Sequence, residues 1–138
     1  MANPRVLIVE DDYLIALDVE DALIDAGFDV CGIAASEALA VTMAAATRPD
    51  FAVVDVSLSP GDGRRVARTL TQRHRIDVLF ATGQCNDVHE LAGSGALACL
   101  PKPYDAADVP RALRAISNLK RGRPPGPIPD HMIDLHAA

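Results

Sequence analysis

The chain has 138 residues and a formal net charge of −6, from 13 basic and 19 acidic side chains. This length allows one compact domain and excludes a large multidomain enzyme. With 49% hydrophobic but only 4% aromatic residues, the chain can bury an aliphatic core, and its acidic balance disfavours non-specific binding of nucleic acid by the whole surface.

Five short apolar runs predict buried strands, because each is too short for a helix and lacks the alternation of a half-exposed strand. In chain order the predicted strands are Arg5–Val9, Asp29–Ala34, Phe51–Asp55, Asp77–Ala81 and Ala96–Leu100. Stretches with helical spacing lie between them and after the last one. Strands that alternate with helices predict a parallel sheet with right-handed crossovers and helices on both faces.

Two apolar stripes mark the first and last of these helices. The stripes are Ile15, Val19, Ala22, Leu23 and Ala26 in the first helix, and Val109, Ala112, Leu113 and Ile116 in the last. Gly27 lies where the first helix should end, and Ser36 and Asp105 are predicted N-caps of later helices. Both apolar stripes must pack against a sheet, which supports a three-layer arrangement of helices, sheet and helices.

Residues 120–138 differ in composition from the rest and hold four of the ten prolines. A segment rich in proline and basic residues cannot form a helix or a central strand. We therefore predict a folded domain over residues 1–119 and a flexible tail over residues 120–138.

The three cysteines, Cys31, Cys85 and Cys99, include no CxxC pair. An odd number without such a pair predicts buried thiols in a reducing compartment rather than a disulfide framework or a zinc site. The N-terminal apolar run is too short for a signal peptide, and no run approaches the ~18–20 residues of a membrane span. We expect a soluble, cytoplasmic protein without membrane contact.

The ends of the predicted strands carry polar side chains that parallel pairing would bring to one edge of the sheet. The acids Glu10, Asp11 and Asp12 follow the first strand, Asp55 ends the third, Thr82 follows the fourth and Lys102 follows the fifth. Clustered carboxylates repel one another, and Mg²⁺ is the hard cation that best neutralises such a group. An aspartate beside the metal can accept a phosphoryl group, whose remaining oxygens would need a cation and a hydroxyl such as Lys102 and Thr82.

Each of these residues has an ordinary structural explanation when taken alone. Acids after a strand are often helix N-caps or solvated turn residues, a threonine before Gly83 is often a turn residue, and Lys102 before Pro103 could be a surface lysine. Their conjunction at four strand ends in chain order favours the phosphoryl site.

Four motifs together resemble the receiver domain of two-component response regulators across roughly residues 4–119. They are Val6-Leu7-Ile8-Val9-Glu10-Asp11-Asp12, Val53-Val54-Asp55 followed by Gly63, Phe80-Ala81-Thr82-Gly83, and Leu100-Pro101-Lys102-Pro103. The resemblance implies a flavodoxin-like (βα)5 fold with strand order 2-1-3-4-5. It also implies a phosphoacceptor switch rather than an enzyme, which takes a phosphoryl group from a histidine kinase or phosphotransferase and signals by conformational change and partner binding.

The resemblance assigns a role to each residue of the site. Asp55 would be the phosphoacceptor, and Glu10 and Asp11 the metal-binding acid pair, with Asp12 as the extra acid that many members carry. Ser57 would supply a backbone carbonyl to Mg²⁺, for which Mn²⁺ or Ca²⁺ could substitute. Thr82 and Lys102 would bind the phosphoryl group. The Lys102–Pro103 bond would be cis.

The sequence departs from the family pattern at the switch. Typical receivers carry a tyrosine or phenylalanine three residues before the lysine, where this chain has Cys99. Phe80-Ala81-Thr82-Gly83 resembles the subgroup named after a Phe-Ala-Thr-Gly-hydrophobic-Tyr (FATGUY) motif, which lacks that ring and is linked to the HWE class of histidine kinases. The match is partial, because Gln84 and Cys85 occupy its last two positions. We expect switching by the loop and helix after Thr82, where Gly83 gives backbone freedom.

No output domain is recognisable after the receiver region, which predicts a stand-alone regulator that binds an unknown downstream protein or acts within a phosphorelay. Lys120-Arg121-Gly122-Arg123-Pro124 resembles an AT-hook core, which fits a narrow A·T minor groove. A single basic tail is more often a linker or a solubilising segment, so nucleic acid is not the expected partner.

Three other functions are possible for an aspartate-bearing α/β domain. A haloacid-dehalogenase-type enzyme needs a second aspartate two residues after its nucleophile, where this chain has Ser57. A pseudo-receiver has usually lost an acid, the threonine or the lysine, and all are present here. A nucleotide-binding flavodoxin-like protein needs a glycine-rich loop after the first strand, where acids stand instead.

Overall fold

The structure is a computed structural model and describes residues 3–136. Within that range, strands and helices alternate as the apolar runs predict. The elements are β1 (Arg5–Val9), α1 (Tyr13–Asp25), β2 (Asp29–Ala34), α2 (Glu37–Thr47), β3 (Phe51–Val54), α3 (Gly63–His74), β4 (Asp77–Thr82), α4 (Val88–Gly93), β5 (Ala98–Pro101), α5 (Asp108–Lys120) and β6 (Ile133–Asp134). Each predicted strand is present, with ends shifted by two residues at most.

The strands form one sheet in the order β2-β1-β3-β4-β5-β6. The first five pair in parallel, which confirms the flavodoxin-like fold and the predicted order 2-1-3-4-5. Since all five run in the same direction, their carboxyl ends meet at one edge, where ligands bind in sheets of this kind.

Helices cover both faces of the sheet, because the strands are apolar on both sides. Leu7, Val9, Val54 and Phe80 pack with α2, α3 and α4 on one face. Val6, Ile8, Val53 and Leu79 pack with α1 and α5 on the other. The predicted stripe of α5 lies fully in this second core, and Val19 and Leu23 anchor α1 there.

The end of the chain differs from the expected flexible tail. Ile133 and Asp134 form β6, which pairs antiparallel with β5 at Cys99 and Ala98. Leu135 is 3% exposed and packs with Ile133 in the core on the α2–α4 face. The segment is ordered because it supplies backbone partners and apolar side chains to the otherwise open edge of β5.

Of the two predicted helix N-caps, the structure confirms Ser36 but not Asp105. The Ser36 hydroxyl accepts a hydrogen bond from the Leu39 N–H, as an N-cap should. Helix α5 begins at Asp108 and has no side-chain cap. The Asp105 carboxylate instead accepts from the Ala107 N–H and closes a turn ahead of the helix, so its prediction as an N-cap is wrong.

No helix within residues 3–136 combines the length and hydropathy that crossing a membrane requires.

Candidate functional site

The polar residues at the strand ends come together at the carboxyl edge of the sheet. Glu10 directly follows β1, Asp55 directly follows β3, Thr82 ends β4 and Lys102 directly follows β5. Glu10, Asp55 and Thr82 are 5%, 6% and 0% exposed, so their polar atoms must find partners within the protein.

Asp55 is the centre of the resulting network. Its Oδ1 accepts hydrogen bonds from the Thr82 hydroxyl at 2.8 Å and from the Ser57 N–H at 3.0 Å. Its Oδ2 accepts from the Lys102 ammonium at 2.8 Å. A hydroxyl and an ammonium from two different strands are thus directed at one carboxylate, as binding of a group attached to Asp55 requires.

Glu10, Asp11 and Asp55 form an acidic cluster beside this network. Each offers a carboxylate oxygen, and these oxygens lie within 4.8 Å of one another. Glu10 also contacts Lys102 at 3.1 Å, and the Ser59 N–H donates to Asp11 at 3.1 Å. Three carboxylates against one ammonium leave an excess of negative charge in a largely buried space.

Burial raises the pKa of Glu10 from 4.5 to about 7, and the neighbouring charge of Asp55 adds to that rise. The Asp12 N–H and Lys102 oppose it without cancelling it. Burial would lower the pKa of Lys102, but its hydrogen bonds to Asp55 and Glu10 raise it overall. The lysine is therefore charged at physiological pH, whereas Glu10 readily keeps a proton when no metal is bound.

The cluster fits a hard divalent cation. Carboxylate oxygens are the ligands that Mg²⁺ prefers, and three of them converge here. A cation would also relieve the repulsion that raises the pKa of Glu10, because positive charge favours the ionised carboxylates.

Without metal, the raised pKa of Glu10 makes stability depend on pH. The folded protein holds a proton that the unfolded chain releases between pH 4.5 and about 7, so this group stabilises below pH 4.5 and its contribution is lost as pH rises through 7. We expect the free energy of unfolding in chelator to fall by about 2–3 kcal/mol from this group between pH 5 and 7.5. Denaturant titrations at several pH values measure it. Glu10→Gln should flatten the slope, and parallel slopes for the two proteins would contradict the assignment.

The remaining predicted residues lie around the site in different roles. The Asp12 carboxylate caps α1 by accepting from the Leu14 and Ile15 N–H groups, so the N-cap interpretation holds for this acid. Gly83 is exposed after β4. The Lys102–Pro103 peptide bond is cis.

Two neighbours of the site were not predicted as site residues. The Gln84 N–H donates to the Thr82 hydroxyl at 3.3 Å, and the Gln84 side-chain amide donates to the Ser57 hydroxyl, so Gln84 bridges the loops after β3 and β4. Tyr104 lies near Glu10 and Asp55, and burial raises its pKa to about 12. Gln84 occupies a position of the partial FATGUY match and Tyr104 directly follows Pro103, and these placements are the only sequence signals they carry.

The prediction of reduced cysteines is wrong for two of them. Cys85 and Cys99 form a disulfide, with their Cα atoms 6.0 Å apart, and Cys31 stays unpaired. Both paired residues are buried, as expected. The loop between β4 and α4 brings Cys85 against the middle of β5, a proximity that the linear sequence does not reveal.

The parallel sheet order and the acidic cluster around a strand-end aspartate define a class: flavodoxin-like proteins with a carboxylate site at the carboxyl edge of the sheet. Within that class, the response regulator receiver domain family matches residues 6–114, and the chain belongs to this family. Receiver domains are phosphoacceptor switches of two-component systems, and they interact with histidine kinases or phosphotransferases.

Known relatives agree with this assignment. Transcriptional regulatory protein PdtaR of Mycobacterium tuberculosis is 33% identical over 119 residues, 84% of this chain and 58% of the relative. Chemotaxis protein CheY of Bacillus subtilis is 29% identical over 117 residues, 83% of this chain and 98% of CheY. The signal receiver domain of a modulated diguanylate cyclase from Desulfovibrio desulfuricans has a TM-score of 0.77 at 30% identity, covering 88% of this chain and 99% of that structure. The chain thus spans 58% of the length of PdtaR.

Proposed function

We propose that Asp55 accepts a phosphoryl group from the phosphohistidine of a histidine kinase or phosphotransferase in a Mg²⁺-dependent reaction. The observation that carries this proposal is the pair of hydrogen bonds from Thr82 and Lys102 to the two oxygens of Asp55, at 2.8 Å each. A phosphoryl group on Asp55 would place its oxygens within reach of the same hydroxyl and ammonium.

Transfer requires in-line attack by an Asp55 oxygen on phosphorus. The phosphorus–nitrogen bond of phosphohistidine breaks as the phosphorus–oxygen bond forms, and the imidazole leaves. Glu10, Asp11, Asp55 and the Ser57 backbone carbonyl would hold Mg²⁺, which supplies positive charge to the phosphoryl oxygens. The Lys102 ammonium supplies a second positive charge.

Signalling follows when Thr82 exchanges its partner. In the unphosphorylated site the Thr82 hydroxyl donates to Asp55, whereas with a phosphoryl group present it would donate to a phosphoryl oxygen. That exchange would move the loop after β4, since the Gln84 N–H donates a hydrogen bond to the same hydroxyl. Hydrolysis by an ordered water resets the site. The protein is thus a switch with self-catalysed phosphotransfer and dephosphorylation.

The remaining proposals concern location and partners. We propose a cytoplasmic location and a regulator of the FATGUY type. An HWE-class kinase would phosphorylate it, and an unknown downstream protein would bind it. The basic stretch from Lys120 to Pro124 is proposed as a solvated connection between α5 and β6 rather than a DNA contact, because the net charge of −6 opposes DNA binding.

Intact mass after incubation with acetyl phosphate and Mg²⁺ tests the function directly. We expect a gain of one phosphoryl group in the wild type, and no gain in Asp55→Asn or with chelator present. Gain in Asp55→Asn would place the acceptor elsewhere. If the wild type gains nothing from acetyl phosphate or from a phosphorylated HWE-class kinase, the phosphoacceptor proposal fails and a pseudo-receiver remains.

A further inference from the structure

The Cys85–Cys99 disulfide lies next to the segment that is proposed to switch, the loop that follows Thr82. Cys99 is the second residue of β5 and is fully buried. Cys85 lies in the loop between β4 and α4, three residues after Thr82, and is 7% exposed. A covalent bond therefore ties this loop to the neighbouring strand of the sheet.

The disulfide lies close to Thr82, whose hydroxyl would bind the phosphoryl group. The Cys85 sulfur lies 3.8 Å from the Thr82 carbonyl oxygen, and the Thr82 hydroxyl is bonded to Asp55. The bridge thus holds the backbone of the segment that begins at Thr82. It coexists with the hydrogen bond between Thr82 and Asp55, which is the arrangement without a phosphoryl group.

Cys99 also occupies the position, three residues before Lys102, at which the family pattern has an aromatic ring. In this chain Cys85 and Cys99 belong to the same buried cluster as Leu91 of α4 and Leu135, against which Ile133 packs. The bridge therefore connects the β4–α4 loop to the core beneath α4 and β6. Any displacement of α4 after phosphorylation has to move a segment that the disulfide restrains.

We propose that the Cys85–Cys99 disulfide is a redox lock on this switch: the oxidised protein resists the response to phosphorylation, and reduction of the bridge releases the loop. The proposal rests on the phosphoacceptor function of Asp55. In a compartment that contains dithiol reductants, a single disulfide in a protein is typically a sensing bond rather than a structural one.

The chemistry is ordinary thiol–disulfide exchange. A thiolate of a dithiol reductant attacks the Cys85 sulfur, which is the less buried of the two, and the Cys99 thiolate leaves and takes up a proton. The second thiol of the reductant then releases the Cys85 thiol and becomes part of the reductant's own disulfide. A hydroperoxide reverses the change: Cys85 is oxidised to a sulfenic acid, Cys99 attacks it, and the net reaction of hydrogen peroxide with two thiols gives the disulfide and two waters.

The test compares the oxidised and reduced wild-type protein after the reductant has been removed, with thiols counted by alkylation and mass. Acetyl phosphate and Mg²⁺ are then added to both forms. We expect the reduced form to gain its phosphoryl group several-fold faster, because the loop that begins at Thr82 must rearrange as the group arrives. With beryllofluoride, amide exchange over residues 83–93 should change in the reduced form and stay unchanged in the oxidised form.

Two variants serve as controls. Cys31→Ser removes the unpaired cysteine and should keep the redox difference, whereas Cys85→Ala should behave like reduced protein under both conditions. The wild-type comparison needs no substitution, so it stands even if Cys85→Ala folds poorly. Equal rates in the two forms, or faster uptake by the oxidised form, would overturn the lock while leaving the phosphoacceptor function intact. Absence of uptake in both forms, from acetyl phosphate and from a phosphorylated HWE-class kinase alike, would instead refute that function, and the lock with it.

Discussion

Replacing Lys102 by alanine should slow phosphoryl uptake at Asp55 by roughly 100-fold or more. Effects of this size follow when an enzyme loses one hydrogen-bond donor to the charge that develops in the transition state. Lys102 contacts Asp55 at 2.8 Å and Glu10 at 3.1 Å, and its side chain is 28% exposed, so its charge is only partly screened by water. The rate of mass gain with acetyl phosphate and Mg²⁺ measures the effect.

The substitution has two separable effects, one on the rate of phosphoryl uptake and one on the stability of the protein. One is the missing ammonium at the phosphoryl oxygens, which slows transfer even when Mg²⁺ is saturating. The other is the loss of the ammonium that neutralises buried Asp55 beside Glu10, which destabilises the metal-free protein. Mg²⁺ should restore much of the lost stability and little of the lost uptake rate. Unfolding titrations with and without Mg²⁺ distinguish them.

Lys120→Ala is the matched control. Lys120 pairs with Asp77 at 2.6 Å, but that pair is exposed and lies at the amino end of β4, away from the site. We expect its uptake rate to equal that of the wild type and its stability to change by less than about 1 kcal/mol. If Lys102→Ala takes up phosphoryl groups as fast as Lys120→Ala, the role of Lys102 at the phosphoryl group is refuted.

The fold and the centre of the site follow from the sequence because both depend on short-range patterns. A strand buried on two faces is a continuous apolar run, and in a parallel sheet the residue after each run must lie at the same edge. Strand direction therefore places Glu10, Asp55 and Lys102 at one edge, and the strand order that the family resemblance implies makes β1 and β3 neighbours there. No packing detail is needed to predict this.

The features that the sequence concealed depend on the path of loops. The pairing of Cys85 with Cys99 requires the β4–α4 loop to fold back under α4, and no local pattern fixes that path. β6 has only two residues and follows a proline-rich segment, so no periodicity marks it. Its order comes from the free edge of β5 and from Leu135, a contact between distant parts of the chain.

Gly63 is the second position at which we expect a large effect. A Cβ atom there would overlap with the carbonyl oxygen of Asp55 and lie 2.6 Å from the Cα atom of Val56. The Gly63 N–H also donates to the Val56 carbonyl at 2.9 Å. The first turn of α3 is thus packed directly on the backbone of Asp55, the proposed phosphoacceptor, and only glycine allows this approach.

Gly63→Ala should therefore lower the free energy of unfolding by about 3 kcal/mol, the upper part of the range for overpacking, because the obstructing atoms are backbone and cannot rotate away. Any folded fraction should take up phosphoryl groups more slowly, since a shift of Asp55 misaligns it with Thr82 and Lys102. Gly93→Ala is the control for stability: a Cβ at Gly93 meets nothing within 4 Å, so the change should be within about 0.5 kcal/mol. Denaturant titration of both variants decides the matter, and equal stabilities would show that α3 can move away from Asp55 at little cost.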